Sequence, residues 1–165
     1  MAKPTKFATP ICIVLTIIAA IGLVLGWYQH NVLVILILLL PAVAYEIYRT
    51  EGDSTRWSSI MLFIVLILEI WFIWKKVSFN LANYLGKTEQ YVGGFWVPLG
   101  DIKVLAPIII ALVSAVLFFR TRGIYTKWLA VVIFISALLI VYIIDPEIIR
   151  KVLPSVIEQG ANRYY

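Results

Sequence analysis

The chain has 165 residues, of which 62% are hydrophobic and 14% are charged, and its net charge is +5. A soluble domain is typically about 45–50% apolar by residue count, so this composition excludes an ordinary soluble protein and indicates a lipid bilayer as the solvent. The basic residues stand at the ends of long apolar runs, where they would face lipid headgroups and water. They form no nucleic-acid-binding patch.

Five apolar runs predict five transmembrane helices. Each run is close to the roughly 17–25 residues that a spanning helix needs, and none alternates between apolar and polar residues as a membrane barrel strand would. Aromatic residues near the run ends, including Trp27, Trp57 and Trp128, are typical of the membrane interface. The predicted helices cover residues 9–27, 31–48, 58–74, 103–119 and 127–144.

Two further segments complete the predicted architecture. Residues 80–102 are the longest connection between runs, and we interpret them as an interfacial loop, with a short re-entrant cap as the alternative. Residues 146–158 follow Asp145, a good helix N-cap, and repeat apolar residues at near-helical spacing, which predicts a short amphipathic tail helix. The prediction is a single membrane domain over residues 1–165, all-α and polytopic.

The second and fourth runs end in similar turns. Residues 48–57 read YRTEGDSTRW and residues 119–128 read FRTRGIYTKW, with five of ten positions identical at an offset of 71. This match predicts an internal repeat, in which one leading helix precedes two similar helical hairpins at residues 31–74 and 102–145. Parallel repeats of this kind occur in some transporters and also in scaffolding proteins.

The residue types in these turns predict their geometry. Gly52 and Gly123 stand where a positive φ would close a short link after a helix. Thr55 and Thr126 stand where a hydroxyl would cap the following helix.

Orientation rests on the basic residues of the connections. Lys and Arg divide equally between the two sides, but the connection at about residues 28–30 has none, and the two repeated turns are short and basic. We therefore expect a cytoplasmic N-terminus in a cell or plasma membrane.

Three residues of the first predicted hairpin are candidates for function. Pro41 would kink the second helix, and either freed carbonyl groups or packing would explain it. Glu46 is interpreted as an interfacial carboxylate with Arg49 as its i,i+3 partner. The third candidate is Glu69. The matching positions of the second hairpin are Leu112, Leu117 and Ile140.

Glu69 lies about 16 Å along a helix from Ser58 and about 9 Å from Lys75. A charge at the bilayer centre costs at least about 2.5–3.5 kcal/mol, so this carboxyl must be protonated, hydrated or paired. Three interpretations stay open: helix contact through a hydrogen bond, proton or cation handling, and pairing with a base of another subunit. The candidate hydrogen-bond partners are Thr16, Ser114, Ser136 and backbone carbonyl groups.

Catalysis is disfavoured, because the sequence has no His/Cys cluster, Ser–His pair or dinucleotide-binding glycine pattern. Cys12 and His30 are the only residues of their kinds, so we expect no disulfide and no cofactor. The leading hypothesis is a non-catalytic membrane subunit, or an accessory or scaffold protein of a larger membrane complex. Its partners would be the bilayer and other membrane subunits or copies of itself. The alternative is a small proton- or cation-coupled transporter or channel that uses Glu69.

Overall fold

The computed structural model describes residues 7–50, 52–76, 89–92, 95–98 and 102–146. Five helices within these ranges are each long and apolar enough to cross a membrane. This confirms the five helices predicted from the apolar runs. They are α1 (Ala8–Gln29), α2 (Val32–Arg49), α3 (Asp53–Trp74), α4 (Ile102–Arg120) and α5 (Ile124–Ile144).

The largest difference in helix bounds is at the start of α3. The apolar run predicts a beginning at residue 58, whereas the helix begins at Asp53. The first turn of α3 consists of polar residues, which an apolar-run criterion leaves out although they are compatible with a helix N-terminus. A helix can therefore extend past the apolar segment that crosses the bilayer.

A short antiparallel hairpin lies within the segment predicted as an interfacial loop. Strands β1 (Glu89–Val92) and β2 (Phe95–Pro98) pair with Val92 opposite Phe95. The sequence carried a signal for this pairing, since only Gly93 and Gly94 separate two segments rich in β-favouring residues. The predicted tail helix at residues 146–158 lies outside the described residues, apart from Pro146.

The helices form one bundle in which α2 and α5 contact the most neighbours. Helix α1 packs against α2 and α5, α3 packs between α2 and α4, and α2 also contacts α5. Thr9 Oγ1 and the Tyr125 hydroxyl are 2.9 Å apart, and the Arg49 guanidinium lies 5.0 Å from the Tyr125 ring centroid. The start of α1 and the turns at residues 50–52 and 121–123 therefore share one end of the bundle, called here the turn end.

Helix α1 approaches α2 closely through two glycines. A Cβ at Gly26 would lie 2.2 Å from Ile35 Cγ1, and a Cβ at Gly22 would lie 2.8 Å from Leu38 Cβ. Small residues that let helix backbones approach are typical of membrane helix contacts, and the G-x-x-x-G spacing that signals them was readable in the sequence. The buried face of α1 is Ala8, Cys12, Leu15, Ala19, Gly22 and Gly26.

The two turns begin with the same hydrogen bonds. Thr50 Oγ1 donates to the Glu46 carbonyl at 2.9 Å, and Thr121 Oγ1 donates to the Leu117 carbonyl at 2.6 Å. The backbone N–H of each threonine donates to the same carbonyl, at 2.9 Å in both turns. Each threonine thus closes the last turn of its helix in the same way.

The glycines and the second threonines differ from prediction. Gly52 has the predicted positive φ, of 100°, but Gly123 has a φ of −76°, so the prediction for Gly123 is wrong. Thr55 and Thr126 do not cap the next helix. Their hydroxyl groups donate to the carbonyls of Gly52 and Gly123, at 2.9 Å and 2.7 Å. They fasten each turn by its carbonyl rather than accepting from the free N–H groups of the helix that follows.

The buried face of α3 recurs in α5 at the same offset. Helices α2 and α4 end at residues 71 positions apart, and so do the starts of α3 and α5. Every buried position of α3 has a buried counterpart in α5 at this offset. The α3 residues are Ser59, Leu62, Leu66 and Glu69, and their counterparts are Ala130, Ile133, Ala137 and Ile140.

Candidate functional site

Glu69 is 1% exposed and lies inside the bundle. It continues the face of α3 that Ser59, Leu62 and Leu66 form, because these positions are spaced three and four residues apart. It stands about 7.5 Å from the end of α3 at Trp74, counted at 1.5 Å per residue. Glu69 therefore faces the interior of the bundle.

Neither carboxyl oxygen of Glu69 has a hydrogen-bond partner among the described residues. The three hydroxyl groups proposed as partners donate within their own helices: Thr16 to Cys12, Ser114 to Ala111 and Ser136 to Val132. A helix contact made through a hydrogen bond is therefore not found at Glu69. A buried polar group left in this state is uncommon in folded proteins and calls for an explanation.

The burial of Glu69 also bears on the subunit-pairing interpretation. With 1% of its surface exposed in the single chain, Glu69 offers no access to a basic side chain from outside the bundle. Pairing with another subunit would need helices of this chain to separate first.

Glu46 is fully buried at the turn end, whereas the sequence suggested an interfacial position. Thr50 Oγ1 donates to Glu46 Oε1 at 2.6 Å, and Ser59 Oγ donates to Thr50 Oγ1 at 3.1 Å. The other carboxyl oxygen, Oε2, has no hydrogen-bond partner in the described part of the chain. Arg49 directs its guanidinium to the Tyr125 ring on α5.

Thr50 and Ser59 are polar neighbours of Glu46 that the sequence interpretation missed. Thr50 is four residues after Glu46, so its contact is an ordinary i,i+4 contact and was readable from spacing. Ser59 belongs to the next helix, and its approach depends on how α2 and α3 pack. No local pattern in the sequence could have assigned it.

Pro41 does not contribute to either carboxyl site. Helix α2 runs through it from Val32 to Arg49, and its side chain is on the exposed face. The carbonyl that a proline leaves without its helical donor is four residues earlier, at Ile37, which is 49% exposed. The freed group therefore belongs to an outward-facing part of α2.

The two carboxyl groups occupy different levels of the first hairpin. Ser59, at the level of Glu46, and Glu69 are ten residues apart on α3, which corresponds to about 15 Å along the axis. The space between them is filled by buried apolar side chains, including Leu39, Val43, Leu62 and Leu66. Within the described ranges, no three His, Cys, Asp or Glu side chains come together as metal ligands.

No protein-family model, curated protein or solved structure matches this chain. Its function must therefore be inferred from its own residues and their placement.

Proposed function

We propose that this chain is an integral membrane protein that takes up and releases a proton or a small cation at Glu69, and so acts as a small coupled transporter or channel. The supporting observation is a carboxyl group that is 1% exposed, with both oxygens lacking a partner among the described residues. Ionisable residues inside membrane segments are costly and mark ion or proton pathways more often than other polar residues do.

This proposal reverses the order of the two functions suggested by the sequence. The accessory-subunit hypothesis was based on the small number of polar groups in the chain. It explained Glu69 by a hydrogen bond to another helix or by an ion pair with a basic residue of a partner subunit. Neither explanation fits the placement of Glu69. A carboxyl group that accepts no hydrogen bond in one state can gain them when water or a cation reaches it in another.

We also propose that the turn end faces the cytoplasm of a cell or plasma membrane. The two turns at this end are short and basic, whereas the connection between α1 and α2 has no Lys or Arg, and short cytoplasmic connections carry an excess of these residues. The described cations at this end are Arg49, Arg56, Arg120, Arg122 and Lys127.

The two hairpins are proposed to be copies of one ancestral unit. The support is that helix ends, turn hydrogen bonds and buried positions recur at the same offset of 71. On this proposal the carboxyl groups distinguish one copy, so the activity belongs to the first hairpin.

A non-catalytic subunit of a larger membrane complex is the second candidate. It is favoured by the buried hydroxyl groups outside the first hairpin, since Ser114, Thr121 and Ser136 all donate to the backbone of their own helices. Hydroxyl groups bonded in this way are satisfied by their own helix. Purification in a mild detergent separates the candidates, because a hetero-complex supports the subunit and a lone chain or homo-oligomer supports the transporter.

Transport can be tested with the purified chain in proteoliposomes that enclose a pH-sensitive dye. An imposed pH or Na⁺ gradient should change the internal pH of wild-type vesicles faster than that of empty ones. Glu69→Gln keeps the size of the side chain but cannot titrate, so it should reduce the rate to that of empty vesicles. The matched control is Ser136→Ala, which changes a buried polar residue of α5 and should keep the wild-type rate.

The Gln variant must be shown to insert and fold, for which unfolding in mixed detergent micelles is sufficient. Wild-type rates in a folded Glu69→Gln protein would refute the role of Glu69. Rates equal to empty vesicles for the wild type under both gradients would refute transport of protons and Na⁺ by the isolated chain.

A further inference from the structure

The hydrogen bonds around Glu46 leave one of its two carboxyl oxygens without a donor among the described residues. The Thr50 hydroxyl has one hydrogen, which lies within reach of both Glu46 Oε1 and the Glu46 carbonyl, at 2.6 and 2.9 Å. The Ser59 hydroxyl has one hydrogen, within 3.1 Å of both Thr50 Oγ1 and the Thr55 carbonyl. The Glu46 and Thr55 carbonyls also accept from the backbone N–H groups of Thr50 and Ser59, so the two hydroxyl hydrogens can serve Glu46 Oε1 and Thr50 Oγ1. Glu46 Oε2 receives none from any described residue.

The second hairpin shows that the turn does not need this cluster. At the offset of 71, Leu117 replaces Glu46 and Ala130 replaces Ser59, and both are buried. Thr121 is retained and still donates to the carbonyl four residues before it, at 2.6 Å. The same fold element is therefore built without a carboxyl group. A buried carboxyl that the architecture does not require, and that costs free energy to bury, points to a ligand.

We propose that Glu46, Thr50 and Ser59 form a binding site for a small hard cation, either a proton or Na⁺, at the turn end of the bundle. Carboxylate, hydroxyl and carbonyl oxygens are the ligands that such cations prefer. A cation beside Oε2 would give this buried oxygen a partner and would leave the two hydroxyl hydrogen bonds in place. The site is about 15 Å from Glu69 along α3, and it does not depend on the function proposed for Glu69.

Four other charged or titratable side chains described at the turn end have contacts of their own, are buried on another helix or face outward. Arg49 lies over the Tyr125 ring of α5, and the Tyr125 hydroxyl meets Thr9 of α1. Cys12 is buried on α1, and Arg56 of α3 is exposed. A response to pH at this end must therefore be assigned by substitution of Glu46, since Arg49, Tyr125 and Cys12 belong to the same region.

The test uses the purified full-length chain in nanodiscs and measures binding of radioactive Na⁺ and the melting temperature. Both are followed against Na⁺ at constant ionic strength and against pH. A cation that binds only the folded state raises its stability, so Tm should rise by on the order of 5–10 °C at about 100 times the dissociation constant. If Na⁺ is the ligand, the rise follows Na⁺ at fixed pH. If only a proton binds, Tm falls as pH rises and Na⁺ has no effect.

The decisive variant is Glu46→Leu with Ser59→Ala, which copies the second turn and is expected to fold. It should lose the Na⁺ binding, or the part of the pH-dependent Tm change, that persists in Glu69→Ile, the variant that lacks the other carboxyl group. Glu46→Gln should lose the response as well, because it cannot carry the charge that balances a cation. An equal response in the wild type and the double variant would overturn the proposal. So would a response that disappears in Glu69→Ile and survives in the double variant.

Discussion

The two hairpins share a frame and differ in what they bury. In each, a threonine closes the first helix onto the carbonyl four residues earlier, and a second threonine holds the carbonyl of the turn glycine. Three matched buried positions carry a polar group in the first hairpin and an apolar one in the second, namely Glu46 and Leu117, Ser59 and Ala130, and Glu69 and Ile140. At Val43 and Ser114 the polar residue belongs to the second hairpin. The second hairpin shows that the frame is stable with apolar residues at all three. The carboxyl groups of the first are therefore not explained by folding.

The hairpins also differ in how their second helices are enclosed. Helix α5 packs against α1, α2 and α4, whereas α3 packs against α2 and α4. Trp57, Met61 and Trp71 of α3 are each at least half exposed. Among the five described helices, Glu69 thus belongs to one with fewer neighbours than α5, and such a helix can move with less loss of packing. A site that must exchange with water is better placed on such a helix than on α5.

Moving the carboxyl group to the second hairpin tests the comparison most severely. Ile140 is fully buried and packs in a cluster with Ile35 and Leu36. Ile140→Glu would place a carboxyl group in these surroundings at a cost of about 3 kcal/mol or more. We expect a large loss of folded protein, measured by unfolding in mixed detergent micelles.

The reciprocal variant, Glu69→Ile, is the control for this prediction. It copies Ile140 and removes two buried oxygens that lack a partner in the described part of the chain, so its stability should equal or exceed that of the wild type. If Glu69→Ile unfolds as readily as Ile140→Glu, the carboxyl group of Glu69 stabilises the fold and the comparison of the hairpins fails.

The leading helix holds the two hairpins by different means, which gives a second test. Helix α1 packs on the first hairpin through Gly26, where a Cβ would lie 2.2 Å from Ile35 Cγ1. It is joined to the second hairpin by a hydrogen bond that Trp128 Nε1 donates to Thr16 Oγ1 at 3.0 Å. Gly26→Ala forces α1 and α2 apart and should cost about 1–3 kcal/mol of stability.

Thr16→Val is the comparison for Gly26→Ala. It removes one hydrogen bond between membrane helices, which is worth about 0.6 kcal/mol on average. Unfolding of both variants under the same conditions shows which substitution costs more stability. A larger loss in Thr16→Val would mean that α1 is held mainly by the second hairpin.

The sequence could predict the parts of this structure that depend on local pattern. Five apolar runs gave five helices because the bilayer requires long helices. Glu69 lies deep within its apolar run, and this position correctly predicted that its side chain is buried. The burial of Glu46 depends on how the helices pack. Glu46 lies near the end of its apolar run, yet α3 packs over it and places Ser59 nearby. Nothing local to α2 records the position of that serine.

The glycine turns show the same limit at a smaller scale. The matching residues of the two turns predicted a threonine cap on each following helix, whereas both threonines donate to the carbonyl of the turn glycine. The matching residues also predicted a positive φ at both glycines, and only Gly52 has one. The φ angle of a turn residue is set by the path of the chain between two packed helices. Identical residues in two turns can therefore adopt different φ angles.

The smallest expected effect separates the two turns by this backbone angle. Gly52→Ala places an L side chain at a φ of 100°, which costs about 1–2 kcal/mol. Gly123→Ala is at a φ of −76°, which any residue adopts, and its loss should stay below about 1 kcal/mol. Crowding of the new Cβ would produce the opposite order. A Cβ at Gly123 would lie 2.8 Å from Thr126 Oγ1, whereas a Cβ at Gly52 would lie 3.2 Å from Thr55 Oγ1. Unfolding of both variants in the same detergent measures the difference. If Gly123→Ala proves the more destabilising, crowding of the threonine outweighs backbone strain, and the two turns are more alike in their demands than their angles suggest.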